Sequence, residues 1–329
     1  MISLGETPPP AAGPEPPSPA AGTGAARPLD VVVVTTRFPA HAETFASARV
    51  RSLLEDGHRV RVMSFKAPAA GWEGLVAERG LGAAELLPNG PGVTAAGIAA
   101  AARRPGVLAK ALWWLLSTCA RAPVHLPRAL AALPYAFWAL DLLERDPPDV
   151  VHLDWGHYPT VVLPLVRWRG VPCVVSLSLV AYDIHRRFPG TRTGAHLADI
   201  VRTQARCNVG EIAAVTGIDP SRIEVVPDGV DLARIAAVAA GARKVRGRVA
   251  VVSRLVPAKG VDDALRAFAA ARRSNPHATL RVMGTGPAEP SLRRLAAALG
   301  VADAVTFLGH VAHDEVLREL AAADALLHL

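Results

Sequence analysis

The run Asp30-Val31-Val32-Val33-Val34-Thr35 constrains this chain more than any other stretch. Successive residues of a strand point to opposite faces, so four consecutive valines put β-branched apolar groups on both. Only a strand covered on both sides accommodates that, which is the signature of a parallel sheet flanked by helices. A helical pattern from Ala46 to Glu55 follows, ended by Gly57, and His58 to Phe65 reads as the next strand. Strand, helix, strand in this order is a βαβ opening.

Further along, residues 72–92 read as Gly-rich and irregular, and Gly97 to Arg145 as a long helical region broken at Pro105, Pro123, Pro127 and Pro134. Strand-like runs return at Asp149–Leu153, Pro172–Leu177, Ile200–Thr203 and Arg222–Val226, with helical patterns between them. A second α/β series starts near Arg248. Its strands are Val249–Ser253, Thr279–Met283 and Ala304–Leu308, and its helices Val261–Arg273, Ser291–Leu299 and His313–Ala322. A last strand begins at Ala325 and the chain stops within it. An unfinished buried strand would expose its edge, so the second series reads as incomplete; the alternative is a short natural edge strand. The expected division is a disordered Pro/Ala-rich tail over 1–28, an N-terminal Rossmann-like domain over 29–240 and a second, truncated one over 241–329.

With 329 residues, 51% of them hydrophobic, the chain has enough apolar material for two cores. Its net charge of +7 favours anionic partners such as nucleoside diphosphates or lipid phosphates. No dense Lys/Arg run with interleaved aromatics is present, which argues against nucleic acid. Three scattered cysteines, Cys119, Cys173 and Cys207, form no CxxC pair and suit a reducing cytoplasm rather than a disulfide framework or a zinc site. The first residues lack the basic start and apolar stretch of a signal peptide. The most apolar window, Leu108 to Ala120, holds Lys110 and is too short to cross a membrane.

In open α/β sheets ligands bind outside the carboxyl ends of the strands. That rule selects Ser253-Arg254-Leu255-Val256-Pro257-Ala258-Lys259-Gly260, which leaves a strand and enters a helix. Arg254 and Lys259 would meet there beside the partial positive charge of a helix N-terminus, a combination suited to a diphosphate. Two solvated basic residues in a loop are the alternative. A dinucleotide fingerprint is excluded, because Gly284 and Gly286 would need a third glycine where Glu289 stands.

Ser-Arg-Leu-x-x-x-Lys-Gly before an amphipathic helix resembles the family 4, or group 1, retaining glycosyltransferases. The resemblance continues through Leu280-Arg281-Val282-Met283-Gly284-Thr285-Gly286-Pro287, Val305-Thr306-Phe307-Leu308-Gly309-His310-Val311 and Ala323-Asp324-Ala325-Leu326-Leu327. It implies a GT-B fold of two Rossmann-like domains, with Arg254 and Lys259 holding the donor diphosphate. Gly284 and Gly286 would let the backbone pass close to the nucleoside, or serve an ordinary strand-to-helix turn. Arg37-Phe38-Pro39 with Glu43-Thr44-Phe45 is similar to the Phe-Pro…Glu-Thr-Phe opening of exopolysaccharide-type members, which places Phe38, Glu43 and Thr44 on the acceptor side. Asp149-Val150-Val151-His152-Leu153-Asp154-Trp155 resembles a family stretch in which a second His is common at the position of Asp154. Pro227-Asp228-Gly229-Val230-Asp231 resembles the turn before the interdomain linker.

Two departures stand out. Where the family commonly carries His-x-x-Asp, with a His thought to contact the donor sugar, this chain reads Val180-Ala181-Tyr182-Asp183; Asp183 fits, Val180 does not, and His185 is nearby. The family's Glu-x7-Glu motif, expected after the strand at Ala325, is not in the sequence, and Glu315 and Glu319 have the wrong spacing. The resemblance implies hexose transfer from a nucleoside diphosphate sugar, with retention and without a metal or other cofactor, to a glycan or lipid-linked acceptor in the cytoplasm or at the inner face of the membrane. A truncated, non-catalytic binding protein is the alternative. The segment from Arg103 to Arg145, rich in Arg, Trp113, Trp114, Tyr135, Phe137 and Trp138, suits peripheral docking on an anionic membrane; it equally suits helical packing inside the N-terminal domain.

Overall fold

The computed structural model describes residues 27–40 and 43–328, so all but the last two positions of the expected tail, 1–28, lie outside the described residues. The chain forms two compact units, one running to Gly229 and the other from Val230 to Leu329.

In the first unit seven parallel strands lie in the order β3-β2-β1-β4-β5-β6-β7. They are β1 (Asp30–Arg37), β2 (Arg59–Lys66), β3 (Glu85–Leu86), β4 (Val150–Leu153), β5 (Val174–Ser178), β6 (Ile200–Thr203) and β7 (Ile223–Val225). The valine run accounts for the centre: Val31 to Val34 pair with Val60 to Met63 on one side and Val150 to Leu153 on the other, and are buried. Nine helices are described here: α1 (Thr44–Glu55), α2 (Trp72–Glu78), α3 (Pro91–Ala102), α4 (Pro105–Cys119), α5 (Leu126–Arg145), α6 (Val162–Trp168), α7 (Ala181–Arg186), α8 (Gly190–Leu197) and α9 (Asn208–Thr216).

Residues 72–92 are more ordered than their glycines suggest. Gly71, Gly80 and Gly90 adopt positive φ of 71°, 67° and 109° and bound α2, β3 and α3, so the glycines punctuate short elements instead of dissolving them. The expected break at Pro134 does not occur; that residue sits inside α5. Burial of Ala129, Leu133, Ala136, Phe137, Leu140 and Leu143 holds the helix through the lost backbone donor. Helix α3 crosses α5 so closely that a Cβ on Gly97 would lie 1.8 Å from the Pro134 carbonyl oxygen.

The second unit has four parallel strands in the order β10-β9-β8-β11: β8 (Arg248–Val252), β9 (Thr279–Met283), β10 (Val305–Gly309) and β11 (Ala325–Leu326). Helices α10 (Leu232–Ala240), α11 (Val261–Arg272), α12 (Glu289–Ala298) and α13 (His313–Ala322) surround them. Its core gathers Val251, Leu255, Val261, Leu265, Phe268, Leu280, Val282 and Leu292. Helix α10 packs on α13, and Arg234 donates to Asp314 at 2.7 Å, so residues 232–240 go with this unit.

Candidate functional site

In each sheet the strand order reverses at one place, between β1 and β4 in the first unit and between β8 and β11 in the second. The loops leaving the carboxyl ends of those strands border the crevice where such sheets take ligands. The two units are described separately.

In the second unit Arg254 follows β8 and is exposed, while Lys259 closes a 3-10 turn, Pro257–Lys259, and is half-buried. Neither side chain has an ion-pair partner among the described residues. Gly260, at φ 57°, turns the chain into α11, whose first turn has no side-chain cap. The open N–H groups of α11 add positive potential to the two cations, which Asp262 and Asp263 in that turn partly offset. This basic loop end can hold a dianionic phosphate group.

Gly284 and Gly286 act on the same loop. A Cβ on Gly284 would lie 1.9 Å from the Ser253 carbonyl oxygen, and one on Gly286 2.2 Å from that of Leu255. The Leu255 amide donates to the Thr285 carbonyl at 3.0 Å, so the turn after β9 braces the Arg254 segment backbone to backbone. Gly286→Ala must displace that segment. We expect it to cost about 1–3 kcal/mol, as overpacking typically does; a denaturation midpoint for this unit equal to the parent's would refute the close approach.

Glu315 and Glu319 are both paired with arginines, and only Glu319 is buried. Glu315 pairs with Arg318 at 2.5 Å. Glu319 is buried and accepts from Arg281 at 2.9 Å and Arg248 at 3.2 Å.

In the first unit the segment after β1 carries the residues expected on the acceptor side. Phe38 is 2% exposed and belongs to the core with Ala46 and Val50, so it anchors the loop rather than facing outward. The Phe38–Pro39 peptide is cis. Glu43 precedes α1, and exposed Thr44 is the first residue of that helix.

Asp183 is buried on α7, and both its oxygens are engaged. Oδ2 accepts the Val180 amide at 3.2 Å, capping the helix, and Oδ1 lies 2.9 Å from His157 Nδ1. A carboxylate only accepts, so Nδ1 carries the proton and Nε2 is left to accept from the Thr36 hydroxyl at 3.3 Å. Trp155, Tyr158 and Tyr182 surround the imidazole with ring centroids 5.5–5.8 Å away. Sequence reasoning missed His157 and Thr36, since nothing local marks partners 26 residues apart, as His157 and Asp183 are, or 121 apart, as His157 and Thr36 are. Val180 is half-buried, and His185 is exposed on α7, away from this pairing.

Beside it lies a second polar cluster. Asp154 is fully buried and ion-paired with Arg49, which also reaches Asp228 at 3.3 Å; Arg202 meets Asp228 at 3.4 Å. Burial and the neighbouring charge of Arg202 pull the Arg49 guanidinium down to about 10 against the raising effect of Asp228. Arg49 also donates to His152 Nε2 at 3.1 Å, so His152 carries its proton on Nδ1, toward Ser176 Oγ at 3.0 Å.

Burial first, then Arg49 and Arg202, hold His152 well below the usual imidazole pKa. Its folded pKa is depressed, so between that value and the unfolded one, about 6.5, the unfolded chain binds the extra proton. The first unit is therefore expected to lose stability as pH falls below about 6.5, by up to about 1.4 kcal/mol per unit from this residue. His152→Asn should flatten the dependence between about pH 5 and 6.5 in denaturant titrations; an unchanged slope would assign it elsewhere.

Comparison with known proteins bears on both units. Residues 239–329 match the family model for glycosyl transferases group 1. The chain is 41% identical over 158 residues to the GDP-mannose-dependent alpha-(1-6)-phosphatidylinositol monomannoside mannosyltransferase of Mycobacterium tuberculosis (strain ATCC 25618 / H37Rv), a match covering 45% of this chain and 39% of that protein. It is 30% identical over 190 residues to the glycogen synthase of the same organism, covering 54% of this chain and 45% of that protein. The chain thus matches less than half the length of either relative. The apo lipopolysaccharide outer core galactosyltransferase structure superposes with a TM-score of 0.57 over 91% of this chain and 74% of that one, at 13% identity. At that identity the likeness is one of fold, and the fold is α/β with two Rossmann-like units, as in GT-B enzymes.

Proposed function

We propose that this chain belongs to a group 1 glycosyltransferase that moves a hexose from a nucleoside diphosphate sugar to a glycan or lipid-linked acceptor, with retention at the anomeric carbon. The observation that carries the reading is the pair Arg254 and Lys259, cations without ion-pair partners among the described residues, beside the open N-terminus of α11 at the strand-order reversal. As the glycosidic bond breaks, negative charge develops on the departing nucleoside diphosphate. Fixed cations and backbone N–H groups stabilise that charge in the place a metal would otherwise take. The similarity of residues 239–329 to the family model supports the same assignment.

In this reading Asp183 acts at one remove. With both oxygens engaged it is a positioning residue, and His157 and Thr36 present the polar atoms at the β1 and β4 ends. Reaction at the inner face of the cell membrane, from a cytoplasmic donor pool, fits a lipid-linked acceptor.

A second reading, a glycosyltransferase-like protein that binds without turnover, is favoured by Val180, whose side chain cannot hydrogen-bond a sugar. One experiment separates the two. Calorimetric titration with GDP and UDP is followed by an assay for nucleoside diphosphate released from GDP-mannose and from UDP-glucose with an acceptor mixture. Binding with release supports the enzyme; binding without release supports the second reading; no binding of either nucleotide refutes both.

A further inference from the structure

Helix α4 is mostly apolar, broken by Lys110, Ser117 and Thr118, and a helix so rich in apolar residues is normally buried on most sides. Here it is not. Ala111, Leu115 and Cys119 face inward, and the helix packs on α5 and α6. On the outward side Ala109, Trp113, Leu116 and Ala120 are exposed at the i, i+4, i+7, i+11 spacing of one helix face, with exposed Lys110 and Ser117 beside them. Trp113 is 73% and Leu116 51% exposed. Val124, in the 3-10 turn that packs against the end of α4, is 71% exposed.

The structure separates what the sequence ran together. Tyr135, Phe137 and Trp138 are core residues of α5, and Trp114 is half-buried against Trp168. Trp113 alone of this aromatic group is turned fully outward.

Charge indicates what the strip meets. From Leu86 to Leu140 the chain has no Asp or Glu, and its charged residues are Arg103, Arg104, Lys110, Arg121 and Arg128. Arg103 and Arg104 turn onto Asp141, at 3.3 and 2.8 Å, and are neutralised. Lys110 lies 4.4 Å over the Trp168 ring. Arg121 and Arg128 are exposed, with no ion-pair partner among the described residues. The segment that carries the apolar strip therefore holds cations and no carboxylate. A second copy of this chain, itself at +7, would bring like charges together. An anionic bilayer offers both an apolar layer for Trp113 and Leu116 and phosphates for the cations.

We propose that the outward strip of α4, with Val124 and the exposed cations of the same segment, Lys110, Arg121 and Arg128, is a docking surface for an anionic phospholipid bilayer. Trp113 sits at headgroup depth with its ring toward the acyl chains, as interfacial tryptophans do. The surface supplies the lipid side of the acceptor proposed above and rests on that reading for its purpose, but its test needs no turnover.

The test is co-sedimentation of the whole chain with vesicles of phosphatidylcholine alone and of phosphatidylcholine mixed with phosphatidylglycerol. Binding is expected to the mixed vesicles, to weaken with added salt, and to fall to background on phosphatidylcholine alone. Trp113→Ser with Leu116→Ser should weaken partitioning about tenfold or more, and Arg121→Gln with Arg128→Gln about fivefold or more. Thermal midpoints and nucleoside diphosphate affinity should match the parent in both variants, which separates loss of docking from loss of folding or of the donor site. Parent binding to neither vesicle, or equal binding by parent and serine variant, overturns the proposal. So does light scattering that shows a dimer abolished by Trp113→Ser, which would assign the strip to self-association.

Discussion

Replacing Arg254 with alanine is expected to weaken binding of a nucleoside diphosphate about 10- to 150-fold. A hydrogen bond to a charged group is worth about 1.5–3 kcal/mol, and each 1.4 kcal/mol is a factor of ten in Kd. The guanidinium is exposed in the free protein and has no carboxylate partner among the described residues, so removing it costs the fold little and the ligand much. Lys259→Ala should act in the same direction but less, because an ammonium gives one phosphate oxygen a point charge where a guanidinium grips two. The double variant should lose less than the sum, since both cations address the same two phosphates. Calorimetry at constant ionic strength is the appropriate measurement, because exposed charge is screened within about 10 Å at 0.1 M salt. If Arg254→Ala binds GDP and UDP as the parent does, the loop is not the diphosphate site and the proposed function loses its central support.

The second large effect is structural. Arg49→Met is expected to destabilise the first unit by about 3–5 kcal/mol, because it leaves the fully buried Asp154 carboxylate without its cation. Asp154 Oδ2 has no hydrogen-bond partner even in the parent, so Arg49 is the cation on which this carboxylate depends. Replacing both partners, Arg49→Met with Asp154→Leu, should recover most of the loss, since a buried pair exchanged for apolar groups of similar size is often neutral. Denaturant unfolding followed by the fluorescence of the tryptophans, all of which lie in the first unit, would show it. A single-variant loss below about 1 kcal/mol would mean that water reaches Asp154, and that the cluster at the ends of β4 and β6 is open to ligands.

What was legible in the amino-acid sequence is what neighbours in the chain decide. Four successive valines required a strand covered on both faces, and β1 is an interior strand of its sheet, paired with β2 and β4. The βαβ order of both units followed from the alternation of periods two and 3.6. The loop from Ser253 to Gly260 could be placed at a strand's carboxyl end because strand, loop and helix are contiguous. Glycine was harder to read. Residues 72–92 read as irregular, yet the glycines at 71, 80 and 90 act as punctuation, while Gly284 and Gly286 are set by the backbone of residues 253–255, which meets them only after folding.

Tertiary structure alone decided the rest, and in each case the reason is a partner distant in sequence. His157 is invisible as a functional residue until β4 and β5 lie side by side and bring Asp183 to its Nδ1. Arg49, buried Asp154 and the more exposed Asp228 become one polar cluster only when α1 and the loops after β4 and β7 close on each other. Trp113 and Trp114 are adjacent and chemically identical, and no sequence pattern says which will be covered. Packing of α4 on α5 and α6 turned one inward and left the other in solvent, because neighbouring residues on a helix face directions 100° apart and only one of those directions met the core.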